Sequence, residues 1–118
     1  ILTHTCRYKA ELAYGEALIS NLLNDPLIGE EARLKLKNYT TLTQENHLHQ
    51  GRITERLASG ALFNDLGVPP MRKDTDRAMI CGSMGLNTDL KIKLEAFGLV
   101  EGANNRPAEY VLEKAFVG

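Results

Sequence analysis

Apolar residues recur along the chain with two different periods, and the change of period marks out its elements. Between Lys9 and Asn24, Leu12, Leu18, Ile19, Leu22 and Leu23 fall at three- and four-residue steps, the spacing that lines one face of a helix. Asp25-Pro26 ends that pattern, because proline cannot continue a helix. Ahead of it, Ile1-Leu2-Thr3-His4-Thr5 is β-rich from the first residue, a strand already under way. That start lacks an initiator Met and predicts a chain that begins in mid-domain. The charged stretch Glu30 to Lys37 fits no single period, whereas Asn38-Tyr39-Thr40-Thr41-Leu42-Thr43 is aromatic and β-branched and predicts a strand. A polar loop from Gln44 to Gly51 leads to Arg52–Ala61, where Ile53, Leu57 and Ala61 stand four apart and predict a second helix.

Gly60, Gly67 and Pro69-Pro70 punctuate a linker that runs to Asp76. Ala78-Met79-Ile80-Cys81 is then a short continuous apolar run, the pattern of a strand buried on both faces. Gly82-Ser83-Met84-Gly85 turns the chain toward Asn87, read as an N-cap, and Leu90, Leu94 and Phe97 share one helical face before Gly98 at the C′ position. A last strand is predicted over about Glu109 to Val117, after the turn Asn104-Asn105-Arg106-Pro107. Strands alternating with helices predict the α/β class: an open parallel sheet joined by right-handed crossovers, with helices on both faces.

The chain has 118 residues, a length that fits one domain of ordinary size. With 43% hydrophobic and 25% charged residues it has the composition of a folded globular protein. A formal net charge of −1 supplies no global attraction to nucleic acid or to an anionic membrane, so any anion site is local. No apolar run approaches the roughly 20 residues of a membrane span, and neither partner is expected. Cys6 and Cys81 lie far apart without paired spacing; both are read as free thiols, which suits a reducing cytoplasm. No repeat at a fixed period and no low-complexity tract is present.

In an open parallel sheet, ligands bind outside the carboxyl ends of the strands. Three loops leave those ends here: Thr5-Cys6-Arg7, Gln44 through Arg52, and Cys81 through Asn87. Arg7 and Arg52 are candidates for a phosphate clamp, because a guanidinium pairs with phosphate oxygens at two points; the plainer alternative is a pair of solvated surface arginines. Gly82 and Gly85 would let a ligand approach the backbone beside a helix N-terminus, or they serve a tight turn that needs glycine angles. Cys81 reads as a small core residue, and a nucleophilic role would need a base, for which His4 is the nearest candidate by topology. His47-x-His49 is a metal pattern without a third ligand, and no metal is expected. The acidic residues Glu11, Glu16, Glu30 and Glu31 form solvated faces rather than an acid/base pair.

Several segments together resemble bacterial ferredoxin–NADP+ reductases: Met79-Ile80-Cys81-Gly82-Ser83-Met84, Gly98-Leu99-Val100-Glu101-Gly102, and the ending Glu113-Lys114-Ala115-Phe116-Val117-Gly118. Gly51-Arg52-Ile53-Thr54 and His4-Thr5-Cys6-Arg7-Tyr8 are similar to that family's nucleotide domain. The resemblance implies a Rossmann-like domain and an enzyme that moves hydride between NADP(H) and FAD, and single electrons between FAD and ferredoxin or flavodoxin. It implies that Cys81, with Gly82, Ser83 and Met84, lies where nicotinamide meets flavin and shapes their geometry without acting as a nucleophile. Arg7 and Arg52 match positions that hold the 2′-phosphate end of NADP(H). Ala115 would lie against the flavin, and Phe116 would stack on the FAD adenine. Where many relatives have Thr-Arg-Glu, this chain has Thr43-Gln44-Glu45, one phosphate-binding charge fewer. The family's FAD-binding β-barrel, first Rossmann strand and Thr-Gly-Thr-Gly loop would all precede Ile1. Residues 1–118 are thus expected to be a partial C-terminal NADP(H)-binding domain, active only within the full two-domain protein, monomeric and cytoplasmic. The alternative from another class is a nucleotide-binding or regulatory module without redox activity; a third reading keeps the flavin and changes the electron acceptor.

Overall fold

A computed structural model describes residues 1–102 and 107–114, with Lys114 by its backbone alone. The chain divides into two compact units, Ile1–Leu62 and Phe63–Gly118. Among the described residues the strands form two parallel two-stranded pairs, each belonging to one unit. This is the α/β alternation with parallel strands that the periodicity predicts.

In the first unit β1 (Leu2–Cys6) runs beside β2 (Asn38–Leu42), in register from Leu2 opposite Asn38 to Cys6 opposite Leu42. β2 carries the core, with Tyr39, Thr41 and Leu42 almost wholly buried, while β1 is exposed over its first three residues. The Thr5 and Thr41 hydroxyls, register partners, meet at 2.6 Å, so the buried threonine leaves no unpaired oxygen. The helix expected over residues 9–24 begins instead as a 3-10 turn, Lys9–Leu12, and continues as α1 (Ala13–Leu23). The Glu11 carboxylate accepts the Tyr8 N–H at 3.0 Å, which favours the tighter opening turn. Asp25 stops the crossover chain by accepting the N–H groups of both Leu27 and Ile28, an Asx turn. α2 (Gly29–Lys35) occupies the charged stretch that showed no period. Its charges explain it: Glu30 and Glu31 open the helix, Arg33 and Lys35 close it, and Lys35 pairs with Glu31, all aligned with the helix dipole. A Cβ on Gly29 would sit 2.6 Å from the Leu23 carbonyl oxygen, so only glycine fits at that junction.

The helix predicted over residues 52–61 is two helices, α3 (Ile53–Ala58) and α4 (Ala61–Leu66). Gly60 between them has φ +84°, a left-handed break that a side chain disfavours. In the second unit β3 (Ala78–Gly82) pairs with β4 (Tyr110–Lys114), in register from Ala78 opposite Tyr110 to Gly82 opposite Lys114. α5 (Met84–Ala96) connects them and ends at Phe97, with Gly98 at φ +90° in the C′ position, as the sequence indicates. Ile80, Leu90, Leu94, Leu99 and Tyr110 form this unit's core, and Phe63 packs edge-on to Phe97 at 5.8 Å. The Tyr110 hydroxyl donates to Glu95 Oε1 at 2.8 Å, joining β4 to the last turn of α5.

Two expectations are corrected here. β3 is not covered on both faces: Ile80 and Gly82 are buried, but Met79 is 77% exposed and Cys81 is exposed too. Its apolar run therefore alternates as a strand with one open face does. The N-cap of α5 is Ser83, not Asn87; the Ser83 side chain accepts the Leu86 N–H. Asn87 lies one turn inside, buried, with its Nδ2 donating to the Glu113 carbonyl at 3.1 Å.

Among the described residues no helix is long and apolar enough to cross a membrane.

Candidate functional site

The parallel pairing of β1 and β2 brings two of the three predicted loops to one end of the first unit. The Cys6 carbonyl accepts the Thr43 N–H and the Arg7 carbonyl accepts the Gln44 N–H, both at 3.0 Å, so the chain around Arg7 and the start of the loop from Gln44 to Arg52 run side by side. The Lys9 N–H donates to the Glu45 carboxylate at 2.5 Å, a second tie between these segments. The Arg7 side chain is 72% exposed, 3.9 Å from Glu11 and over the Tyr8 ring, 6.0 Å from its centroid. An ion pair that open to water holds its arginine only weakly. Arg7 can turn to a ligand.

The loop after β2 is held along its length. His47 Nε2 lies 3.0 Å from the Thr40 hydroxyl, and the His49 ring stacks on Tyr39 with centroids 4.3 Å apart. The Leu42 N–H donates to the His49 carbonyl, and the Gly51 N–H donates back to the Leu42 carbonyl at 2.8 Å. Both histidines of the His47-x-His49 pattern are thus engaged by β2. Gly51 has φ +113°, a backbone state that glycine adopts without strain. The chain turns there, and Arg52 follows as the N-cap of α3, its carbonyl accepting the Glu55 and Arg56 N–H groups. The Arg52 side chain is exposed and makes no hydrogen bond or ion pair among the described residues.

Cys6 and His4, two residues apart on β1, are neighbours, with Sγ 3.3 Å from Nε2. Burial, and next to it the Glu11 carboxylate, raises the Cys6 thiol above its ordinary pKa, which favours the protonated, unreactive form. His4, considered above as a base for Cys81, contacts the other cysteine.

In the second unit the turn Cys81–Met84 leaves the carboxyl end of β3. Cys81 stands opposite Glu113 in the ladder, and its side chain is exposed. A Cβ on Gly82 would sit 2.5 Å from Leu86 Cδ2, so a side chain here would have to displace the Leu86 methyl group. Gly85 has open space around it, and neither Gly82 nor Gly85 has a positive φ. The reading of both as glycines required by backbone angle is therefore corrected. Ser83 caps α5, and Met84, 55% exposed, opens the helix. Ala115 and Phe116 lie outside the described residues.

Sequence reasoning missed Arg56. Its Nε donates to the Tyr39 hydroxyl at 2.5 Å, its Nη1 donates to the Gln50 carbonyl at 3.0 Å, and its guanidinium lies 5.9 Å from the Tyr39 ring centroid. The available signal was its place four residues after Arg52, on the first turn of the same helix. Asn87 was misplaced as a cap, and its buried Oδ1 lacks a partner among the described residues.

No family model matches the chain. The flavodoxin/ferredoxin–NADP reductase of Rhodobacter capsulatus is 56% identical over 118 residues, all of this chain and 44% of that protein. The chain is similar to ferredoxin–NADP reductases over its whole length. The ferredoxin–NADP reductase A of Sorangium cellulosum is 43% identical over 118 residues, 42% of its own length. In structure the chain is similar to a ferredoxin NADP+ reductase from Neisseria gonorrhoeae, crystallised with bound FAD and NADP. The TM-score is 0.78 at 19% identity, over 98% of this chain and 44% of that one; at that identity the likeness shows the fold. The chain thus spans less than half the length of the reductases it matches.

Proposed function

We propose that this chain is the nucleotide-binding part of a ferredoxin– or flavodoxin–NADP+ reductase, and that activity belongs to a longer polypeptide which also carries an FAD-binding barrel. The observation that carries this reading is the 56% identity along the whole chain to a reductase more than twice its length.

The residues of the first unit suit a phosphate. Arg7 and Arg52 are exposed arginines on the segments that leave the carboxyl ends of β1 and β2. Such guanidiniums can take the 2′-phosphate of NADP(H) at two points each. In the second unit Gly82 leaves room for the Leu86 methyl group, Ser83 fixes the start of α5, and exposed Cys81 and Met84 border the nicotinamide. Their part is to position and to exclude water, while nicotinamide and flavin supply the hydride and one-electron chemistry when bound. Ala115 and Phe116 are assigned to the flavin by resemblance alone. Ferredoxin or flavodoxin is the electron partner, and the full protein acts as a cytoplasmic monomer.

The test is the visible absorption spectrum of the full-length protein, purified natively, before and after NADPH is added without oxygen. A flavin band that bleaches is the expected result. A colourless protein would overturn the reductase reading in favour of a nucleotide-binding module without redox chemistry.

A further inference from the structure

Arg52 has no side-chain partner among the described residues, so what aims it is its backbone. That backbone follows Gly51, at φ +113°, and glycine has more alternative conformations to lose than any other residue. A cation meant to meet a phosphate in one geometry therefore depends on whatever fixes residues 50 and 51. Leu42 supplies part of that restraint, its carbonyl accepting the Gly51 N–H at 2.8 Å, and the side chain of Arg56 in α3 supplies the rest. Arg56 donates through Nη1 to the Gln50 carbonyl at 3.0 Å and through Nε to the Tyr39 hydroxyl at 2.5 Å, with the Tyr39 ring 5.9 Å from its guanidinium. One planar fork thus ties three segments together: β2 through Tyr39, the loop through Gln50, and the first turn of α3 through its own backbone, whose N–H donates to the Arg52 carbonyl. His49, stacked on the Tyr39 ring, fastens the same loop one residue earlier.

Resting on the phosphate-reading role given to Arg52 above, we infer that Arg56 is a positioning residue for cofactor choice: it holds Arg52 where the 2′-phosphate is read and so sets the preference for NADP(H) over NAD(H). The thread Thr43-Gln44-Glu45 sharpens the point. With an uncharged glutamine where the resembled family has arginine, Arg52 carries more of the 2′-phosphate contact, and its placement matters more. Lysine cannot replace Arg56 in this role, because a single ammonium lacks the fork that reaches two acceptors in one plane.

The experiment is a double-mutant cycle in the full-length protein, with Michaelis constants for NADPH and NADH measured for Arg56→Met, Arg52→Ala and the pair. Arg56→Met alone is expected to raise the NADPH constant roughly fivefold, with the NADH constant lagging behind. In the Arg52→Ala background it should add nothing for NADPH. Tyr39→Phe, which deletes only the hydroxyl that Arg56 grips, should move the NADPH constant in the same direction by a smaller factor, and it stands in if Arg56→Met does not fold. Equal effects on both cofactors, or a full additive effect on top of Arg52→Ala, would overturn the inference. An Arg52→Ala protein that loses NADPH and NADH alike would instead overturn the phosphate-reading role itself, and this inference with it.

Discussion

The loops that leave the carboxyl ends of β2 and β3 are held in opposite ways. The loop from Gln44 to Arg52 is fastened to β2 through Thr40–His47, Tyr39–His49 and Arg56, and back to its own strand through the Leu42 and Gly51 amides. The turn Cys81–Met84 is bonded to its own helix, through the Leu86 N–H to Ser83 Oγ at 3.3 Å, the Asn87 N–H to the Ser83 carbonyl and the Thr88 hydroxyl to the Met84 carbonyl, and its flanking Met79, Cys81 and Met84 are exposed. Contacts within the chain thus shape the arginine-bearing end in advance, which lowers the ordering cost of binding. The cysteine-bearing end leaves its apolar side chains uncovered. In the proposed reductase the first recognises a phosphate and the second awaits the flavin and its domain.

The largest effect is expected at Arg52. Arg52→Ala should raise the Michaelis constant for NADPH about ten- to a hundredfold while leaving NADH little changed, since a charge-assisted contact is worth about 1.5–3 kcal/mol. Steady-state kinetics with both cofactors checks it, and equal losses would remove the phosphate from the comparison. Gln44→Arg runs the other way. It restores a cation on a backbone already bonded to Arg7, and should tighten NADPH binding by about threefold to tenfold with little effect on NADH. In the second unit Ser83→Ala removes the cap of α5 and should cost about 1 kcal/mol in urea unfolding. A shift in the NADPH-to-NADH ratio from that change would mean that the two loops are not independent.

The smallest effect concerns Tyr110. Burial first, then its bond to Glu95 and the charges of Glu95 and Glu101, raise its pKa above the ordinary tyrosine value. A folded-state pKa above the unfolded one gives stability that is full below the ordinary value, about 10, and falls as pH rises above it. Tyr110→Phe should flatten that alkaline decline in a series of unfolding curves at increasing pH. An unchanged slope would show that Tyr110 does not carry it.

Helices and strands were legible where one period ran without interruption: β2, the start of α3 and the Leu90–Leu94 face of α5 fall where the pattern puts them. α2 was hidden because charge order, not hydrophobic spacing, makes it a helix. The break between α3 and α4 turns on one left-handed glycine, Gly60, which a four-residue apolar spacing runs straight through. β3 read as doubly buried because composition records what a strand can bury, not what is present to cover it. At the site, Arg7 and Arg52 were visible from loop position alone. Arg56 was not, since the positioning role inferred for it depends on Tyr39 and Gln50, which only the fold brings within reach.

The contrast between the two loops is tested most directly by amide hydrogen exchange on the full-length protein, with and without NADP+. The Gln44, Gly51 and Arg56 amides are expected to be protected already without nucleotide and to change little on binding, while the Leu86 amide exchanges fast and gains protection. A loop from Gln44 to Arg52 that is open without nucleotide and closes only when it binds would contradict the account.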